Sequence, residues 1–324
     1  MVTVGVTGAT GYIGGAVVPA LDSAGYAVRG VDNRTGPVRA ERPEWPIPSL
    51  DFASDDALRL LADCDVVLHL AATSGVMVCA NDPEGSARVN VGGTARLTEM
   101  CRERRISVAF ASSFAVVGSP EHLPVTEQTP ARPTHEYARQ KALGEELTRK
   151  LGKAASVPTA VVRQSNVYGG YRIGDRYVAK ANVIQIFAQQ AAGGTLSVNA
   201  PGTQRRDFVH VEDVVAHWLA VVGLLTRRGA PTDPVTVNVA SGEALSVLEV
   251  AEKVSRCVAR MRPTGPPVRV DVVPNPRGGV ELVEPDFAVS RAETERLLGL
   301  RCGQTVEKAL PAILEGVGTI RGPR

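Results

Sequence analysis

The chain has 324 residues, of which 44% are hydrophobic and 22% charged, with a net charge of +2. That composition is ordinary for a globular protein of one or two domains. No concentrated basic stripe is present and aromatics are only 4%, so nucleic-acid binding has neither an electrostatic footprint nor a stacking platform.

The N-terminus runs directly into a strand-like segment, Val2 to Thr7, with no basic leader. No apolar run reaches the roughly 18 residues that would span a bilayer. The five cysteines are odd in number, widely spaced and without Cys/His clustering. Reduced thiols, a cytoplasmic setting, no membrane contact and no metal are therefore expected.

Strand and helix patterns alternate from there. Val2 to Thr7 reads as a buried strand, Tyr12 to Ala24 as a helix and Tyr26 to Asp32 as a strand. A helix over Asp55 to Ala62, a strand over Asp65 to Leu70 and a long helix from Pro83 to Arg104 follow. The strand Ile106 to Ser112, a helix from Glu136 to Lys153 and the strand Thr159 to Arg163 complete this run. Apolar strands separated by helices predict an α/β fold, a doubly wound parallel sheet of Rossmann-like type. Beyond residue 165, Gly and Pro clusters break the rhythm, although Val211 to Leu225 and Ser246 to Arg260 read as helices and Val235 to Val239 as a strand. The expected organisation is a dinucleotide-binding domain over 1–165 with returns near 205–245. A smaller interleaved substrate region would comprise 166–204 and 246–324.

Thr7-Gly8-Ala9-Thr10-Gly11-Tyr12-Ile13-Gly14 lies between the first strand and the first helix, the context that gives a glycine pattern meaning. Gly8 permits a tight turn, Gly11 lets backbone approach a pyrophosphate, and Gly14 lets helix and strand close together. The helix N-terminus then faces the phosphates. Asp32, ending the second strand, suits the two hydroxyls of an adenosine ribose and repels a 2′-phosphate, so NAD is favoured; Arg34 could instead pair with such a phosphate. Asn33 adjoins it. Asp51 and Phe52 are placed to meet adenine, with a helix N-cap as the other role for Asp51. In His69-Leu70-Ala71-Ala72 the small residues allow a cofactor to lie against backbone, and the histidine is read as structural.

Tyr137 and Lys141 stand at i and i+4 and so share a helix face. An ammonium beside a phenol favours the phenolate, lowering a pKa that is ordinarily about 10. Ser113, closing the preceding strand, can hydrogen-bond a reacting oxygen. The three together propose proton transfer coupled to redox chemistry at a nicotinamide.

TGATGYIG (7–14), VDNRTG (31–36), HLAA (69–72), NVGGT (90–94), ASSFAVVG (111–118), YARQK (137–141), NVYG (166–169), RRDFVHVEDVV (205–215) and VNVASGEALSVLEV (237–250) run through the whole chain. In this set the chain resembles an extended short-chain dehydrogenase/reductase of the NAD-dependent epimerase/dehydratase family, similar to UDP-glucose 4-epimerases. The resemblance implies NAD as cofactor and a nucleotide-sugar as substrate. It makes Tyr137 the proton acceptor, Lys141 the residue that holds the nicotinamide ribose, and Ser113 the orienter. It adds Thr10, Tyr12, Ile13 and Asn90 to the cofactor side, Asn90 also steadying an irregular turn in the long helix. Ser112, Asn166, Val183, Arg206 and Arg277 join the substrate side, and a homodimer through the helices 83–104 and 136–153 is expected. Dehydratases of the family carry an acidic pair after the catalytic hydroxyl residue, whereas Phe114 and Ala115 stand here. Epimerisation at C4 is thus the first expectation, a 4-ketoreductase of a deoxysugar the second, and a non-catalytic dinucleotide sensor a third.

Overall fold

The computed structural model describes residues 1–33, 47–275 and 287–319. Its first half builds β1 (Thr3–Thr7), α1 (Gly14–Ser23), β2 (Ala27–Val31), α2 (Asp55–Leu61), β3 (Val66–His69), α3 (Val76–Asn81) and α4 (Pro83–Ala87). After a π turn (Arg88–Gly93) come α5 (Thr94–Arg104), β4 (Ser107–Ser113), α6 (Glu136–Ala155) and β5 (Thr159–Gln164). The second half adds β6 (Asn166–Tyr168), β7 (Gly170–Ile173), β8 (Arg176–Ala179), α7 (Val183–Gln190), β9 (Thr195–Asn199), β10 (Arg205–His210) and α8 (Val211–Thr226). Then follow β11 (Val235–Val239), β12 (Ala244–Ser246), α9 (Val247–Met261), β13 (Arg269–Val273), α10 (Ala292–Leu298) and α11 (Val306–Gly316).

Six parallel strands pair in the order β11-β5-β4-β3-β1-β2. Side chains alternate between two covered faces, as the period of a strand requires. Val4 and Val6 of β1, Val66 and Leu68 of β3, and Ala109 and Ala111 of β4 join the core containing Val17, Leu21, Val214 and Trp218 from α1 and α8. Val67 and Val108, one residue out of phase, join Leu61, Leu97 and Leu151 from α2, α5 and α6 on the other face. Both faces being apolar explains why these strands read as continuous hydrophobic runs.

The chain leaves β1 toward β2 and later crosses to β3 on β1's other side. That reversal opens a crevice at the carboxyl ends of β1 and β3, where ligands bind in such sheets. The six-stranded sheet and its two helical layers bear out the expected fold class.

Two features refine the sequence reading, which expects an irregular turn at Asn90 and returns to the main sheet near 205–245. The helix expected over 83–104 is broken into α4, a π turn and α5, because the Asn90 side chain binds outside the helix (below). The stretch 205–245 does not return to the main sheet as one piece. β11 does, pairing with β5, but β10 pairs with β6 and antiparallel with β12 in a separate three-stranded sheet. A second core, with Tyr168, Ile184, Phe187, Val254, Leu310 and Leu314, packs behind that sheet.

Candidate active site

The glycine-rich loop fits a dinucleotide by its own sterics. Gly8 has φ +69, and a Cβ there would stand 2.8 Å from the Ala71 amide nitrogen. A Cβ on Gly14 would overlap the Gly8 carbonyl oxygen, so the loop cannot close onto α1 with any larger residue. The Thr10 amide donates to Asp32 Oδ2 at 3.0 Å, drawing the carboxylate to the loop. A cavity of about 160 Å³ lies here, lined among others by Gly8, Gly11, Asp32, Asn33, Asp51 and Phe52. Leu70, Ala71 and Ala72 complete its wall with Thr73. These residues, brought from three strand ends, fit a dinucleotide with a hydroxyl-bearing adenosine ribose. Arg34 lies outside the described residues.

The other cofactor-side residues do different work. Tyr12 donates its hydroxyl to the Gly169 carbonyl at 2.9 Å and stacks on Tyr171, fastening the loop to the second half. Ile13 is the N-cap of α1 and packs against the core. Asp51 Oδ1 accepts the Ala53 amide, and the helix cap is Ser54 instead. Phe52 is buried beside His69.

His69 is structural, as the sequence suggested. Its ring bonds Thr7 Oγ1 (2.7 Å) and Thr94 Oγ1 (2.9 Å), and burial brings its pKa down to about 3. Thr94 donates to the Asn90 carbonyl. Asn90, in the π turn, accepts the Thr73 amide and donates to the Thr73 carbonyl, both at 2.8 Å, and donates to Gln140 Oε1 at 2.7 Å. It therefore ties the loop after β3 to the helix that carries Tyr137 and Lys141.

That helix, α6, lies close on the sheet because Gly144 packs against the Phe110 ring and Gly152 against Thr159. Its buried positions include Lys141, Gly144, Glu145, Thr148, Leu151 and Gly152, the spacing of one amphipathic face. Lys141 is fully buried; its Nζ donates to the Ala111 carbonyl at 2.7 Å and sits 4.9 Å from the centroid of Phe110. Burial, with repulsion from Lys180, brings the ammonium down to about 8. Tyr137 stands one turn earlier. Burial pushes its phenol up, while hydrogen bonding from Ser74 and Ser113 acts downward. The net direction is upward, the reverse of that expected from an ammonium neighbour, because desolvation of the phenolate is the largest influence on it.

A second cavity, about 300 Å³, is lined by Ser113, Tyr137, Asn166 and Arg206 together with Val76, Phe114, His135 and Gln164. The structure thus brings four sequence-named residues together on the substrate side. Asn166 is held by donating to the Asp207 carbonyl, and Arg206 Nη1 donates to the Arg205 carbonyl. Ser112 is not among them. It follows the strand's alternation to the opposite face, where its hydroxyl donates to buried Glu145 at 2.6 Å. Val183, in the first turn of α7, packs against the second core instead of lining this cavity. Arg277 lies outside the described residues.

Sequence reading missed Ser74, His135 and Gln164. Ser74 comes two residues after HLAA, and His135 caps α6 two residues before Tyr137, so both positions carried a signal. Gln164 carried none. No group of residues suited to a metal ion occurs among the described residues, and no helix there is long and apolar enough to cross a membrane.

A glycine-loop crevice at a sheet switch point, next to a cavity lined by Ser113 and Tyr137 with Lys141 buried one helical turn on, defines a dinucleotide-dependent enzyme class. The chain belongs to the NAD-dependent epimerase/dehydratase family, whose profile matches residues 4–240, and its cofactor is NAD. A UDP-glucose 4-epimerase of Streptomyces lividans is 32% identical over 307 residues, covering 90% of this chain and 88% of that protein. Among solved structures, MoeE5 in complex with UDP-glucose and NAD is similar with a TM-score of 0.79 at 26% identity, covering 98% of each chain. TunA, an NAD-dependent NDP-hexosamine 5,6-dehydratase of tunicamycin biosynthesis, is similar with a TM-score of 0.77 at 27% identity over 99% of each chain.

Proposed function

We propose that the protein is a nucleotide-sugar epimerase acting at C4 through a transient 4-keto sugar. The observation that carries this reading is the residue set of the second cavity. Ser113 and Tyr137 face it with Asn166 and Arg206, while the residues after Ser113 are Phe114 and Ala115. Neither can exchange a proton, so the acidic pair that dehydratases of the family carry at these positions is missing, in contrast to the reaction named for TunA.

NAD would be held by the glycine loop, Asp32 and the 70–73 backbone, and it supplies the redox half of the chemistry: reversible oxidation of one carbinol carbon. The protein supplies the rest. Tyr137 Oη takes the hydroxyl proton as the carbinol becomes a ketone and returns it to the same oxygen on reduction. Ser113 orients that oxygen, and Ser74 and Ser113 steady the phenolate. Lys141, anchored on the Ala111 carbonyl, places positive charge beneath the site. Arg206 suits a phosphate of the nucleotide, since a guanidinium can pair it bidentately. A homodimer through α5 and α6, where Leu143 is 45% exposed, belongs to the same reading and is tested by sedimentation.

The test is incubation of purified protein with UDP-glucose or UDP-galactose and no added cofactor. The 4-epimer should accumulate to a constant ratio from either side. Stoichiometric consumption of NAD(P)H with a 4-keto sugar would instead identify a ketoreductase, and loss of water a dehydratase.

A further inference from the structure

We propose that His135 and Gln164 form a recognition pair for a sugar hydroxyl on the carbon next to the one oxidised, so that the substrate is a hexose not deoxygenated at that position. The inference rests on the nucleotide-sugar reading above and deepens it.

Each half has an independent geometric basis. His135 is the N-cap of α6, and its Nδ1 accepts the Ala138 amide at 3.2 Å. A ring nitrogen that accepts carries no proton, so the neutral imidazole holds its proton on Nε2. The ring lies parallel to Tyr137, with centroids 6.2 Å apart and an interplanar angle of 6°, and it lines the substrate cavity. The helix cap thereby leaves one N–H donor beside the catalytic phenol.

Gln164 supplies the opposite polarity. It ends β5, paired in register with Ser113 on β4, and lines the same cavity. Only 5% of the residue is exposed, and its Oε1 is buried with no hydrogen-bond partner among the described residues. A buried acceptor without a donor is costly, and such atoms ordinarily have one. The donor belongs to the residue stacked on Tyr137 and the acceptor to the residue in register with Ser113, the two side chains assigned to the reacting oxygen. A hydroxyl both accepts and donates, so one on the adjacent carbon satisfies the pair at once. A methylene there would leave both groups unpaired.

The test is calorimetric titration of the full NAD-loaded protein with UDP-glucose, UDP-3-deoxyglucose and UDP. Wild type should bind UDP-glucose about 10-fold or more tighter than the deoxy compound, the effect of losing at least one neutral hydrogen bond. Gln164→Leu and His135→Ser, the latter keeping a good helix cap, should bring that ratio toward one and leave UDP binding unchanged. NAD content and circular dichroism verify that the variants fold. A wild-type ratio near one overturns the inference without any variant, as does a ratio the variants preserve. If wild type binds neither UDP-glucose nor UDP, the nucleotide-sugar reading itself falls, and this inference with it.

Discussion

In the proposed reaction Tyr137 loses a proton inside a site whose burial favours the neutral phenol. The direction of its shift, upward from desolvation and pulled back by Ser74 and Ser113, gives those two hydroxyls the role of supporting the base in that proposal. Removing either withdraws a hydrogen bond to the charged form, so the phenol's pKa rises further. Because the base form is active, the rising limb of the kcat–pH profile should move to higher pH in Ser113→Ala and in Ser74→Ala. A limb that stays put or moves to lower pH contradicts the assignment. At this scale the sequence was legible where residue type and spacing suffice. Tyr137 and Lys141 share a face because the helix period dictates it, and Ser113 follows because it ends a strand. Ser112 misled because adjacent strand residues point to opposite faces, which a motif does not encode. Gln164 was silent because its significance is an unpaired atom, visible only when the neighbours are in place.

What holds α6 against β4 and β5 is partly apolar and partly a buried ion pair. Glu145 accepts from Arg163 Nε and Nη2, both at 2.9 Å, and from Ser112 and Arg149, while Arg163 Nη1 donates to the Thr129 carbonyl. Burial raises the Glu145 pKa, but the Arg163, Ser112 and Arg149 contacts outweigh it and the net direction is downward. A carboxyl held below its unfolded value of 4.5 contributes stability at pH above that value, and the contribution is lost as pH falls through the lower folded value. Glu145→Ala leaves Arg163 buried and unpaired. It should cost about 3–5 kcal/mol in denaturant unfolding at neutral pH, with the difference from wild type shrinking in acid. A variant within about 1 kcal/mol of wild type at neutral pH would show that the pair does not secure the helix. The helices were legible from their periodicity, and the irregular turn at Asn90 only through the family resemblance. Its cause is Asn90, whose amide is drawn to Thr73 and Gln140, residues distant in sequence. Asn90→Ala removes those buried bonds and should weaken NAD retention, measured after gel filtration, because the loop 70–73 loses its anchor. Unchanged retention would restrict Asn90 to a local packing role.

Across the whole molecule, the two cavities meet along the loop after β3. Thr73 lines the cofactor side and Val76 the substrate side. The parallel sheet and its switch point were legible because apolar runs alternate with helices, and they place the glycine loop and Tyr137 at the same edge. The split between β10 and β11 was not legible, since strand pairing in the second half depends on contacts that no local pattern announces. This arrangement makes one claim above the others, that the phenol at 137 moves the proton while NAD stays in place. The direct measurement compares turnover and bound NAD in wild type and Tyr137→Phe. Equal NAD content and a fall in kcat of about 100- to 10,000-fold are expected, the range for loss of a positioned general base. A variant that keeps both its NAD and near wild-type turnover would contradict it.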